Sequence, residues 1–197
     1  MLGFNDIVKR LGAVWHIAFN DPARLSDLEL TPKGFRESFW ALPIALLPVL
    51  PGNIFVQSFE QFMQGLFINI SVWIIPLMVV IALCDVFRIR NRIIPFVIAF
   101  NWLQAFLQLL LLVLVPFVPV LPPVIIVLLV AVVFIIYRVF RVSLDKPAPY
   151  TIAFMVFYFV MMSVVLVIAA DVAGLPVMRM MKLPPEAAGY ALQGNLL

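Results

Sequence analysis

IIPFVIAFNWLQAFLQLLLLVLVPF, Ile93 to Phe117, contains no charged side chain from end to end. A membrane helix needs about 20 mostly apolar residues to cross about 30 Å of hydrocarbon, and this stretch exceeds that. It also carries three amides, Asn101, Gln104 and Gln108. Their i, i+3, i+7 spacing puts them on one face of a helix. An amide facing lipid leaves its donors and acceptors unsatisfied, which is costly. That face should therefore look into a helix bundle. Two roles are open to it: interhelical glue, or a polar pocket for a substrate or a lipid head group.

The rest of the chain fits the same solvent. Of its 197 residues, 65% are hydrophobic and only 12% charged, with a mean hydropathy of +1.15. A soluble domain of this length has too little interior to hide so much apolar surface. Five spans are expected, at roughly 34–50, 63–84, 93–117, 122–137 and 150–173. The fourth is all Val, Ile, Leu, Phe and Ala from Val124 to Ile136. The first is short and contains Pro43 and Pro48, which predicts a kink or a break.

Phe4, Ile7, Val8, Leu11, Val14, Trp15 and Ala18 recur at helical spacing, with Asn5, Asp6, Lys9, His16 and Asn20 on the other face. This predicts an amphipathic helix in the membrane interface. The expected fold is thus all-α: a polytopic integral membrane protein with five transmembrane helices plus an N-terminal interfacial helix. Its parts would be the helix and linker (1–30), the five-span domain (31–174) and a C-terminal tail (175–197). Thr31-Pro32 reads as a helix start, with Thr31 capping and proline in the first turn. Lys33 and Glu37 then stand one turn apart and can pair. Asn53 can cap the helix that leads into the second span.

Charge sets the expected orientation. With the N-terminus in the cytoplasm, Lys9, Arg10, Arg24, Lys33, Arg36, Arg88, Arg90, Arg92, Arg138, Arg141 and Lys146 all lie inside. Only Arg179 and Lys182 fall outside. This asymmetry follows the positive-inside pattern and sends the C-terminus to the far side. Arg88, Arg90 and Arg92 form the densest cluster, a candidate contact for anionic lipid head groups or a partner protein. The pI of about 9.3 does not point to nucleic acid, because the cations are dispersed in short groups between apolar spans.

Catalytic and cofactor motifs are absent from the sequence. One cysteine, Cys84, excludes an intramolecular disulfide framework, and one histidine, His16, excludes a histidine metal cage within the chain. No Walker loop, H-E-x-x-H or G-x-S-x-G occurs. No enzyme activity and no cofactor are expected. Ala170 and Gly174 form one small-xxx-small pair at the end of the fifth span. Matching depths along the second, third and fifth spans places Asn101 level with Tyr158, and Gln104 and Gln108 near Ser163, Ser71 and Asn69. These side chains should meet in one polar seam, with the fourth span facing lipid or a partner.

DLELTPKGFRESFWALP, Asp27 to Pro43, precedes tightly spaced spans that include the aromatic-polar FNW at Phe100 to Trp102. In this order of parts the chain resembles small alphaproteobacterial five-span membrane proteins grouped with the Yip (Ypt/Rab-interacting protein) domain family. The resemblance is architectural. It implies a bacterial inner-membrane protein with no assigned reaction, and it carries no site residues. The leading functional expectation is a scaffold or accessory subunit that binds another membrane protein or a second copy of itself. The alternative is a small-solute or lipid transporter or channel subunit using the polar face of the third span.

Overall fold

The computed structural model describes residues 3–19, 22–46, 59–114 and 123–174. The described residues form helices and turns with no strand. Among the described residues are seven α-helices: α1 (Phe4–Phe19), α2 (Pro32–Ser38), α3 (Ala41–Leu46), α4 (Phe59–Val86), α5 (Ile93–Leu114), α6 (Pro123–Leu144) and α7 (Ala148–Val172). Short 3₁₀ segments at Pro22–Leu28 and Arg90–Arg92 link them. The last four helices are each long and apolar enough to cross a membrane, so the chain has the build of an integral membrane protein.

The four long helices sit where the second to fifth spans are expected. The fourth, α6, runs seven residues beyond the expected 137, to Leu144, and so takes Arg138 and Arg141 into the helix. The expected first span is not one helix. Thr31 caps α2 as its sequence predicts, its Oγ1 accepting from the Gly34 amide at 3.1 Å. The helix then stops at Ser38, and the Phe39-Trp40 turn leads into α3. At seven and six residues, α2 and α3 are only about 10 and 9 Å long. The Asn53 cap and the tail 175–197 lie outside the described residues.

Helix α5 is the axis of the molecule. Half of its span is buried inside the protein, against 17% for α4. Helices α1, α2, α3 and α6 pack directly on it, while α4 packs along α7. An aromatic cluster fills the centre: Phe96, Phe100, Phe140 and Tyr158 meet ring to ring at 5.0–6.3 Å. Such edge-on and offset pairs add about 0.5–1.5 kcal/mol each beyond their buried area.

Helix α6 divides into two halves. Ile135, Ile136, Val139, Phe140, Ser143 and Leu144 are buried, whereas Ile126, Val127, Leu129, Val130 and Val133 are exposed. The expectation that this span largely faces outward therefore holds only for its first half. The second half is buried because α1, α5 and α7 all pack on this helix, with Phe140 set among Phe96, Phe100 and Tyr158. Gly174 lies beyond the end of α7 with φ +81 and closes that helix as a left-handed cap, so the expected Ala170/Gly174 pair does not form a helix-packing face.

Helix α1 shows three faces. Arg10, Ala13, Val14, Ile17 and Ala18 are buried against the protein. Phe4, Val8, Trp15 and Phe19 are exposed, as are the polar Asn5, Lys9 and His16. At about 100° per residue these form three adjacent stripes around the helix. The single apolar stripe expected from the sequence is thus split, half toward protein and half outward.

The chain reverses sharply between α4 and α5. The Ile89 amide donates to the Cys84 carbonyl at 2.8 Å, and the Arg88 amide to Asp85 at 3.0 Å. This is a Schellman closure, with Arg88 at φ +55 in the position glycine usually takes. One end of the bundle gathers Arg88, Arg90, Arg92, Arg141, Asp145 and Lys146. Arg92 there pairs with Asp145 across the α4–α5 and α6–α7 connections. At the other end, the start of α4 and the end of α7 share a hollow at Phe59, Glu60 and Gly174.

Candidate functional site

Asn101 is fully buried on α5. Its Oδ1 accepts from Trp73 Nε1 of α4 at 3.2 Å, and its Nδ2 donates to Ser38 Oγ of α2 at 3.0 Å. Ser38 in turn donates to the Phe35 carbonyl at 2.7 Å. The result is a one-directional chain, indole to amide to hydroxyl to carbonyl, in which each link both accepts and donates. It ties three helices together. One turn further along α5, Gln104 Nε2 donates to Tyr158 Oη of α7 at 2.8 Å.

Beside this pair lies a cavity of about 120 Å³. Asn69, Trp73, Gln104, Gln108 and Tyr158 line it, with Ala45 and Leu46 of α3 closing one side. Asn69 Nδ2 donates to the Gly65 carbonyl of its own helix at 2.9 Å, leaving its Oδ1 as an acceptor. Val72 also lines the cavity, and Pro76, four residues on, has no N–H to give the Val72 carbonyl. The cavity is small: pockets for drug-sized ligands run about 300–1,000 Å³, and a water occupies about 30 Å³ of liquid. Its size suits a few waters or a very small polar solute.

The structure thus brings together Asn101, Gln104, Gln108, Tyr158 and Asn69 of the expected seam. It does not bring in the two serines. Ser163 is exposed and returns its hydroxyl to the Phe159 carbonyl at 2.9 Å. A helical serine can satisfy itself on the preceding turn, so depth alone does not force it inward. Ser71 is half-buried and does not line the cavity. It stands about 200° around the α4 axis from Asn69. Two partners were missed by the sequence reading, Trp73 and Ser38. Trp73 could have been found by counting the indole N–H among the buried donors. Ser38 could not, because the break after α2 is what brings it level with Asn101.

A second polar cluster flanks α5. Arg10 of α1, with its side chain 5% exposed, pairs with Glu29 at 2.8 Å and with Glu37. Its guanidinium lies over the Trp102 ring, 5.5 Å from the centroid. Lys33 reaches both carboxylates, at 3.6 and 3.8 Å. Two cations therefore face two anions. Glu29 sits at φ +56. Its carbonyl would be 1.8 Å from any Cβ at Gly34, so only glycine lets this turn close onto α2.

The Arg88, Arg90 and Arg92 cluster is less available than its sequence suggests. Arg90 is paired with Asp85 and Arg92 with Asp145. Arg88 is exposed and has no carboxylate partner among the described residues. Among the described residues, no group of three His, Cys, Asp or Glu side chains is placed to hold a metal ion. Cys84 is buried. No protein-family model, curated protein or solved structure matches this chain.

Proposed function

We propose that this chain is a non-enzymatic scaffold or accessory subunit of a bacterial inner membrane, which binds another membrane protein. One observation carries this reading: Asn101 and Gln104, two of the three amides of α5, are spent on side chains of neighbouring helices. Trp73, Asn101 and Ser38 satisfy each other in sequence, and Gln104 is bonded to Tyr158. The remaining void of about 120 Å³ is below the size of an ordinary ligand pocket. The exposed face of Ile126, Leu129, Val130 and Val133 on α6 is the surface this reading assigns to the partner. The likeness to Yip-domain proteins belongs to the proposal as architecture only.

The proposed topology has five crossings, N-terminus inside and C-terminus outside. Its support is the course of the chain along α5. Ser38 stands beside Asn101, and Ala45 and Leu46 stand beside Gln104 and Gln108. The chain therefore advances with α5, away from the basic end, and α4 begins at the opposite end. The first crossing is thus made by short helices rather than one long one. At 28 residues, α4 is about 42 Å long, which matches the about 40–45 Å of a bilayer with its head groups. The residues that α1 touches, Trp102, Phe106, Phe134 and Arg138, lie about 9–20 Å in from the basic ends of α5 and α6. That begins at the about 5–10 Å to which an amphipathic interfacial helix sinks and reaches deeper.

The test is gentle extraction followed by mass spectrometry of what co-purifies, with a cysteine at Val130 for cross-linking in intact membranes. A defined membrane protein should co-purify and cross-link through position 130. A chain that purifies alone, forms no cross-link and moves a solute across vesicles would overturn the scaffold reading in favour of transport.

A further inference from the structure

We infer that the chain carries a specific binding site for an anionic phospholipid where α1 meets the second half of α6. The head group would sit at Arg138, Arg141 and Lys146. These three cations line one hollow together with Val142, Asp145 and Pro147. The one carboxylate in it, Asp145, is already held by Arg92. Arg138 Nε donates to the Ala18 carbonyl in the last turn of α1 at 3.4 Å, and Arg141 Nη1 donates to Tyr137 Oη at 3.1 Å. No carboxylate among the described residues pairs with Arg138, Arg141 or Lys146. Three cations thus share a concave surface whose one carboxylate is already engaged by Arg92, whereas Arg10, Arg90 and Arg92 are each paired.

The surface leading away from this hollow is apolar. Val127, Phe134 and Arg138 follow one another along one side of α6 at i, i+7 and i+11. Val127 and Phe134 are 69% and 46% exposed. Phe19 stands 6.3 Å from Phe134, and Trp15 packs tilted against Phe19 at 4.4 Å. Cations at one end, an aromatic pair beside them and an apolar track running toward the bilayer centre match a lipid from phosphate to acyl chain. A soluble phosphate would use the cations and have no use for the track. Because the site's charge is unbalanced, it should favour a head group with no cation of its own, such as phosphatidylglycerol, over a zwitterionic one. This inference does not rest on the scaffold reading.

The test uses the full-length chain in nanodiscs of equal phosphatidylglycerol and phosphatidylcholine, with retained lipid counted by native mass spectrometry. The wild-type chain should retain phosphatidylglycerol in preference. Arg141→Gln/Lys146→Gln, two residues with no hydrogen bond or ion pair to α1 in the described structure, should weaken retention by roughly fivefold per cation removed. Arg88→Gln should leave it unchanged. Equal retention of the two lipids by the wild-type chain would overturn the inference without recourse to any variant. So would a folded double variant that retains phosphatidylglycerol as the wild type does. Displacement of the lipid by inorganic phosphate would show a soluble-anion site instead, and would equally overturn it.

Discussion

Asn101 accepts from one neighbour and donates to another, so removing its amide strands two groups at once. Asn101→Leu leaves the Trp73 indole N–H without its acceptor and takes from Ser38 Oγ its donor. A stranded buried donor costs about 1–3 kcal/mol. Gln104→Leu breaks a single bond to Tyr158, worth about 0.6–2 kcal/mol between membrane helices. Both variants should lower the thermal midpoint in detergent, Asn101→Leu more. The reverse order would mean that the Gln104–Tyr158 pair, not the Asn101 chain, is the main tie. The seam was legible because an amide in hydrocarbon has few choices and its helical spacing names its face. It was legible only in part, because serine has a choice. Ser163 bonds its own helix and looks outward, and no depth count distinguishes the two outcomes.

At the scale of elements, the unit to explain is α1 clasped to α2 through Arg10, Glu29 and Glu37. The amphipathic character of α1 was plain in the sequence. The position of Arg10 inside it was not, since an arginine among apolar residues reads as a surface cation until its carboxylates are known. Those lie 19 and 27 residues away in the chain. The clasp can be tested from its backbone. A Cβ in Gly34→Ala would collide with the Glu29 carbonyl, and overpacking of this kind costs about 1–3 kcal/mol. The change should quicken hydrogen exchange in α1; unchanged exchange would show that other contacts hold the helix.

For the whole molecule, the open quantity is how many times the chain crosses the membrane. Four helices are long and apolar enough, and four crossings would put the start of α4 on the same side as α1. Against this stands the direction of α2 and α3, which advance along α5 from Asn101 to Gln108 while α4 starts at the end opposite the basic one. The two topologies separate at one comparison. Lys9, Arg88, Arg141, Glu60 and Asp171 are all exposed, so a cysteine at each can report its side to a membrane-impermeant reagent. Five crossings put positions 9, 88 and 141 on the cytoplasmic face and positions 60 and 171 on the other. Four crossings move position 9 to the side of position 60 and leave the remaining positions where they are. Labelling of 9 and 60 from the same face would therefore remove the broken first crossing. Labelling from opposite faces would mean that a segment too short to be recognised by length still carries the chain across. It can do so because α5 shields it: Ala41 and Ala45 are buried, and Ser38 gives Asn101 the acceptor that lipid lacks. Backbone at such depth must have its polar groups bonded: Phe39 and Trp40 of the turn are exposed, but their amides donate to the Arg36 and Glu37 carbonyls.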